Sequence, residues 1–325
     1  MADLLIENGL LLTMNPGHQI LNNHSIVIQD GRIVQIGKTE NTRKEYPHTD
    51  VIDAAHRIVM PGLVCSHSHL YGLLLRGAPL KIVPPSDFTQ ILQRVWWPVD
   101  EALTQDDAYA SALAACVEFA KSGVTMFADT YSGPNSIHGV LDRIADAVET
   151  VGIRGFVAFE STERHSKEDG RDGLNENKRF AERALHKPDS RVKPLFSLHA
   201  SFTVSDELIR EVKEAAETFH APITIHASEG LGDLYHNLEH YGKRTIERLH
   251  EQELLGKNTV LAHCVHLDEH ELELAMQQEA QSRWSSVNEM FATHPPTYKR
   301  LLLLRQIDQD IQSRGAQTQN IYAHV

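Results

Sequence analysis

The sequence predicts an α/β fold: a β/α barrel with six recognisable strands, preceded by a small N-terminal β-sandwich portion. Three observations predict it. The opening stretch is apolar and punctuated by two turn dipeptides, Asn8-Gly9 and Asp30-Gly31. From Val59 onward, short apolar strands alternate with stretches of helical period, the rhythm of β/α units. Six of those strands end in polar or ionisable side chains, the end of a barrel strand where chemistry is placed. A chain of 325 residues holds one such barrel of ~250 residues and a small appended part.

Residues 1–57 form the sandwich portion. Asn8-Gly9 inside Leu4–Met14 and Asp30-Gly31 inside Ser25–Ile36 are dipeptides that two-residue hairpin turns with positive φ prefer, so two hairpins are expected. Residues 58–275 form the barrel. Its strands are expected at Ile58–His69, Val124–Tyr131, Gly152–Ser161, Val192–Ser201, Pro222–Glu229 and Thr259–His266. Between them, Thr104–Ser122 predicts a helix with Tyr109, Leu113, Cys116 and Ala120 on one face. A second helix spans Asp206–Phe219, with Ser205 or Asp206 as its N-cap. The polar, glycine-containing stretch Glu163–Lys178 is expected to be a long strand-to-helix loop.

The rhythm stops at residue 275. Glutamine occurs eight times in residues 276–325 and seven times in the 275 residues before them, so the tail differs in kind from the barrel. His294-Pro-Pro-Thr297 breaks regular structure, Arg305–Gln319 is polar and helical in pattern, and Asn320–Val325 could form a short strand. The reading is a divergent tail in place of the last two barrel strands. An ordinary helical cap is the plainer alternative.

Bulk properties narrow the function. With 31 basic against 44 acidic residues, a nucleic-acid or acidic-lipid partner is not expected. Three cysteines, Cys65, Cys116 and Cys264, are too few for a disulfide framework and suit a reducing compartment. The first residues lack a basic region followed by an apolar stretch, and no apolar run reaches the ~18 residues of a membrane span. A cytoplasmic protein acting on a small molecule is expected. No Gly-x-Gly-x-x-Gly follows the first strand, which argues against a dinucleotide enzyme.

The candidate chemistry lies at the strand ends. His67-Ser-His69 alone is weak, because 20 histidines produce about one His-x-His pair by chance. Its setting strengthens it: residues i and i+2 of a strand point the same way, so both imidazoles face one spot at the barrel mouth. His226-Ala-Ser-Glu229 adds a third imidazole and, three residues on, a carboxylate able to move a proton beside a metal-bound water. His263 and His199 each end a further strand. Any one of these is ordinarily a hydrogen-bonded core or loop histidine; the set ending separate strands is not. His236, His240 and His250 fall in a helix-like stretch and are read as surface residues. Asp129 is more simply a loop or helix-cap carboxylate than a support for the cluster.

The segments Val59-Met-Pro-Gly-Leu-Val-Cys-Ser-His-Ser-His69, Leu198-His-Ala-Ser-Phe-Thr-Val204, His226-Ala-Ser-Glu229 and Leu261-Ala-His-Cys264 resemble the amidohydrolase superfamily. Within it the chain is similar to the cytosine, guanine and S-adenosylhomocysteine deaminases and the triazine chlorohydrolases, most of all to SsnA-type aminohydrolases. Arg76-Gly77, Pro85-Ser-Asp-Phe88, Trp96-Trp97 and Phe159-Glu160-Ser-Thr162 share that likeness. It covers residues 1–275 and implies a TIM-type (β/α)8 barrel. It also implies one divalent metal, Zn²⁺ before Fe²⁺, on His67, His69 and His226. By the same likeness Glu229 protonates a ring nitrogen, His263 orients the attacking hydroxide, and His199, Arg76 and Trp97 contact the substrate. The implied reaction is hydrolysis of a C–N bond in a planar N-heterocycle, releasing ammonia, and a homo-oligomer is expected.

Two departures accompany the resemblance. The family's seventh strand leads into an Asn-Pro-x-Ser-Asn-like segment and its eighth ends in Gly-Thr-Asp, and neither occurs here. Asp308 and Asp310 sit in a polar helical context and do not replace the eighth-strand aspartate. A second expectation follows: a non-catalytic, truncated or frame-altered homologue that acts by pairing with a full-length partner.

Overall fold

The computed structural model describes residues 2–281, Pro16 and His18 excepted. The expectations for the tail beyond Gln281, and for Asp308 and Asp310 in it, lie outside the described residues. The chain divides into two compact units, the first ending at Pro61 and the second beginning at Gly62.

In the first unit, strands β1 (Leu4–Leu12), β2 (Ile20–Gln29), β3 (Arg32–Lys38), β4 (Asp50–Asp53) and β5 (Ile58–Val59) make one sheet, with helix α1 (Thr39–Glu45) before β4. The order is β3-β2-β1-β4, and β5 also pairs with β1. The Asp30-Gly31 hairpin forms as expected: Asp30 (φ 50°) and Gly31 (φ 69°) are both left-handed, as this turn requires. The Asn8-Gly9 hairpin does not form. Asn8 does adopt a left-handed φ of 57°, but β1 runs straight through it as a bulge in the ladder with β2. Ladders on both sides of β1, to β2 and to β4, hold it extended where a hairpin would need it to reverse.

The second unit is the β/α part. Its strands are β6 (Leu63–Ser68), β7 (Val124–Tyr131), β8 (Arg154–Ser161), β9 (Val192–Pro194), β10 (Phe196–Ala200), β11 (Ile223–Ala227) and β12 (Thr259–His263). All neighbours are parallel, in the order β12-β11-β10-β8-β7-β6. The short β9 pairs with β8 just before β10 does, so the two are one barrel strand interrupted at Leu195. The expected first strand, Ile58–His69, is thus split at Pro61-Gly62. Its first part belongs to the first unit, where it pairs with β1, and its second begins the barrel sheet.

Helices follow the strands. Residues 88–102 carry α2 (Phe88–Ile91), a π-helical turn (Leu92–Trp96) and α3 (Trp97–Ala102). Then come α4 (Gln105–Lys121), α5 (Val140–Val151), α6 (Lys167–Leu185), α7 (Asp206–Phe219), α8 (Leu231–Tyr241), α9 (Thr245–Glu251) and α10 (Glu269–Gln281). α4 lies where expected, closed by a Thr104–Asp107 capping box. Its buried face is Ala108, Ala112, Ala115 and Cys116, while Tyr109 and Leu113 sit at the rim and Ala120 is exposed. Small side chains bring the helix close to the sheet, so apolar size misplaced the face. Ser205 caps α7 by accepting the Leu208 N–H at 3.2 Å.

The expected loop Glu163–Lys178 is mostly helix: α6 starts at Lys167, capped by Ser166, which accepts the Asp169 N–H at 3.1 Å. Its glycines are contact points. A Cβ on Gly173 would stand 2.8 Å from the Phe159 ring, and one on Gly170 3.0 Å from Leu208. Two buried clusters form the core of this second unit. One gathers α4, α5 and strands β7 and β8 around Phe127, Val157 and Phe159; the other gathers α7, α9 and strands β10 and β11 around Phe196, Ile209 and Leu249. Among the described residues no helix is long and apolar enough to cross a membrane.

Candidate active site

Parallel strands place their C-terminal residues along one rim, and the histidines converge there. His67 and Ser68 end β6, with His69 next; His199 stands in β10, His226 in β11, and His263 closes β12. His67, His69 and His226 each offer a ring nitrogen, and the three atoms lie within 4.8 Å of one another. The His67 ring centroid is 5.0 Å from those of His69 and His226 and 5.2 Å from that of His263.

Hydrogen bonds decide which nitrogens are free. A backbone carbonyl can only accept, so His226 donates its Nδ1–H to the His199 carbonyl at 2.5 Å, and His69 donates its Nδ1–H to the Thr130 carbonyl at 3.1 Å. In the neutral rings both Nε2 atoms then carry lone pairs, and they face each other at 3.2 Å. Two such lone pairs repel unless a cation lies between them. Tetrahedral zinc at about 2.0–2.1 Å from each nitrogen sets neighbouring ligand nitrogens about 3.3 Å apart, so the spacing fits a divalent metal. Burial keeps the rings neutral: it is the largest influence on His226, lowered to about 3, and on His67 and His199, each lowered to about 4. His263 is lowered too, by burial and then by His69.

Carboxylates surround the cluster. Glu229 Oε2 stands 3.3 Å from His263 Nε2. Burial pushes the Glu229 carboxyl up to about 7, so it keeps its proton close to neutral pH. Glu160, at the end of β8 and 1% exposed, accepts the Thr130 hydroxyl at 2.6 Å and lies 3.5 Å from His69 Nδ1. Burial alone would raise it; any proton taken up by His226, His69 or His199, and the Thr130 hydroxyl, hold it below the usual carboxylate range. Asp129 accepts the Leu70 N–H at 2.6 Å. It is neither a loop carboxylate nor the cap of its own helix: buried in β7, it fixes the peptide that follows His69.

A cavity of about 290 Å³ opens onto the cluster. Tyr71, Phe88, Leu92, Trp96 and Phe202 wall it, and His199 lines it beside Asp100, Glu160 and Asp233. Two expected substrate contacts are not in this wall. Trp97 lies instead under the Arg164 guanidinium, 5.6 Å from the ring centroid. Its neighbour Trp96 faces the cavity, with its ring 5.7 Å from that of His69. Successive residues of a helix point about 100° apart, so a Trp-Trp pair turns only one ring inward. Arg76 is exposed, beside Tyr109 and Glu118 on the outer side of α4, because the 3₁₀ turn after His69 carries the chain away from the mouth.

The sequence alone assigns no role to several residues at the site. Glu160 is one, although its position at the end of β8 marks it. Asp100, Trp96 and Phe88 come from the segment before α4, which has no strand end to mark them. Thr130 and Asp233 act through backbone and hydroxyl partners, and no spacing announces them. His236, His240 and His250 lie in α8 and α9, away from the cluster, with His240 and His250 exposed.

The amidohydrolase family model matches residues 58–303. The 5'-deoxyadenosine deaminase of Methanosarcina acetivorans is 35% identical over 93% of this chain and 67% of its own length. The 5-methylthioadenosine/S-adenosylhomocysteine deaminase of Syntrophobacter fumaroxidans is 30% identical over 84% of this chain and 60% of its own. The chain therefore spans about 60–67% of the length of these relatives. An adenosine deaminase from Xanthomonas campestris, solved with bound zinc, superposes with a TM-score of 0.69 at 23% identity, over 85% of this chain and 61% of that one. On the family match and the shared sequence, this chain belongs to the amidohydrolase family.

Proposed function

We propose that the protein hydrolyses the exocyclic C–N bond of a small amino-heterocycle, with an adenine nucleoside as the first substrate class to test. One observation carries the reading: His67, His69 and His226 converge with free ring nitrogens while Glu229 and His263 face each other at 3.3 Å beside them. The two curated relatives are named for deaminating 5'-substituted adenosines, which supports that class.

His67, His69 and His226 would hold the metal, zinc before iron. When bound, a divalent cation supplies hydroxide at neutral pH by lowering the pKa of water to ~7. Every other part of the reaction falls to the chain. Trp96, Phe88 and Phe202 offer flat apolar surface against which a planar ring can pack and from which water is displaced. Glu229, still protonated near neutral pH, gives its proton to a ring nitrogen as the adjacent carbon gains a hydroxyl, then takes the proton of that hydroxyl and passes it to the departing ammonia. His263 sits where it can receive or orient a proton at Glu229. Water and the amine become the oxo compound and ammonia, so atoms balance.

Purified protein loaded with zinc or iron, assayed for ammonia with 5'-deoxyadenosine, 5'-methylthioadenosine, adenosine and guanine, tests the reading. Release from at least one of them, abolished by chelation, is expected. Metal-loaded, folded protein that releases none overturns it. Gel filtration of the same preparation tests the proposed homo-oligomer. The second reading, a non-catalytic product pairing with a full-length partner, has no supporting observation among the described residues.

A further inference from the structure

Three strand-end loops carry the site, and one buried side chain ties two of them together. Asp233, in the first turn of α8, is 4% exposed. Its Oδ2 accepts the Ser228 backbone N–H at 2.6 Å. Its Oδ1 accepts the Ser201 hydroxyl, and also the Asn237 side-chain amide at 3.0 Å. Ser228 lies between His226 and Glu229, and Ser201 lies two residues after His199.

Ser228 sits in the left-handed region, φ 51°, where a residue with a Cβ is disfavoured and persists only when its surroundings hold it. Both sides of its backbone are held. Asp233 takes its N–H, and its carbonyl accepts the N–H groups of Val265 and His266, each at 3.0 Å, from the loop after His263. Arg248, 1% exposed, supports the far side. It donates to the Ser201 carbonyl at 2.6 Å, the Val204 carbonyl at 2.8 Å and Asn237 Oδ1 at 3.1 Å. The turn between His226 and Glu229 is thus held on both sides of Ser228, and of the groups that bond it directly only Asp233 does so with a side chain.

We propose that Asp233 is a positioning residue: it clamps the Ser228 turn so that Glu229 stays against His263 and beside the histidine cluster. A carboxylate has two accepting oxygens and can serve the Ser228 N–H and the Ser201 hydroxyl together. An asparagine has one accepting oxygen and would turn an N–H toward one of those donors. The kinetic part of this proposal rests on the deaminase reading; the structural part does not.

The test compares wild type, Asp233→Asn and Ser201→Ala by steady-state kinetics, metal analysis and amide hydrogen exchange. For Asp233→Asn, kcat should fall about 10–100-fold, since misplacing a reacting group by about 1 Å costs up to 10²-fold. KM and bound metal should stay within about threefold, and the Ser228 amide should exchange at least about tenfold faster. Ser201→Ala, which removes one limb only, should lower kcat by less than about tenfold with the fold intact. A kcat within twofold of wild type, a change confined to KM, or a parallel loss of metal and folded protein in both variants overturns the proposal. If wild type releases ammonia from no substrate, the functional reading has failed on its own. Exchange then decides the clamp: an unchanged Ser228 amide in Asp233→Asn overturns it.

Discussion

His226 sends its Nδ1–H into the His199 carbonyl, and that bond leaves Nε2 as the only nitrogen it can offer a cation. His69 is fixed in the same way by the Thr130 carbonyl. Replacing either ring by alanine leaves two imidazoles, too few to hold zinc against water. His69→Ala and His226→Ala should therefore purify without stoichiometric metal, read by elemental analysis; full occupancy in either would overturn the ligand assignment. Glu229 does not belong to that set of nitrogens. Glu229→Gln should keep its metal and lose about 10²–10⁴-fold in kcat, the usual cost of removing a general acid or base. Loss of metal along with activity would show that Glu229 supports the cluster. The histidines were legible because strand ends are legible. Trp96 was not separated from Trp97, nor Arg76 placed outside, because side-chain direction depends on a helical turn whose phase no residue type declares.

Glycines account for much of what was misread among the elements. In Glu163–Lys178 they resemble loop signals, yet Gly170 and Gly173 lie on the face of α6 that packs against Leu208 and Phe159. The helix can approach β8 only where no Cβ intervenes. Gly173→Ala should improve intrinsic helix propensity and still destabilise the protein, by about 1–3 kcal/mol, the cost of overpacking a close contact. Urea unfolding measures it, and a variant as stable as wild type would show that the helix has room to shift. The Asn8-Gly9 error has the same origin. The dipeptide specifies a local left-handed bend correctly, but only the ladders on either side of β1 decide whether the chain reverses or bulges. By contrast, α4 and α7 were legible at both ends, because Thr104 and Ser205 are caps with a mechanism in the local sequence.

Across the whole molecule, burial of the site sets two groups of residues against each other in pH. His226, His67 and His199 have folded pKa values below the ordinary 6.5. Their neutral state contributes stability above pH 6.5 that is lost as pH falls toward 4. Asp129 is raised by burial from 3.8 to about 7. Its contribution is present below pH 3.8 and lost as pH rises through 7. Over the same range the two trends run in opposite directions. Asp129→Asn removes one carboxylate and exposes the difference: measured by urea midpoints after chelation, its stability relative to wild type should grow from pH 4 to pH 8. A constant difference would show that Asp129 is not held protonated by the fold. Local sequence established a parallel β/α sheet, its strand order in the chain and the histidines at its rim, because period, caps and turn residues act over a few positions. Only the tertiary structure decided which ring nitrogens face one another, which tryptophan turns inward and which buried carboxylates keep a proton. Those outcomes depend on burial and hydrogen-bond partners contributed by strands up to about 160 residues apart, and no local pattern can encode them.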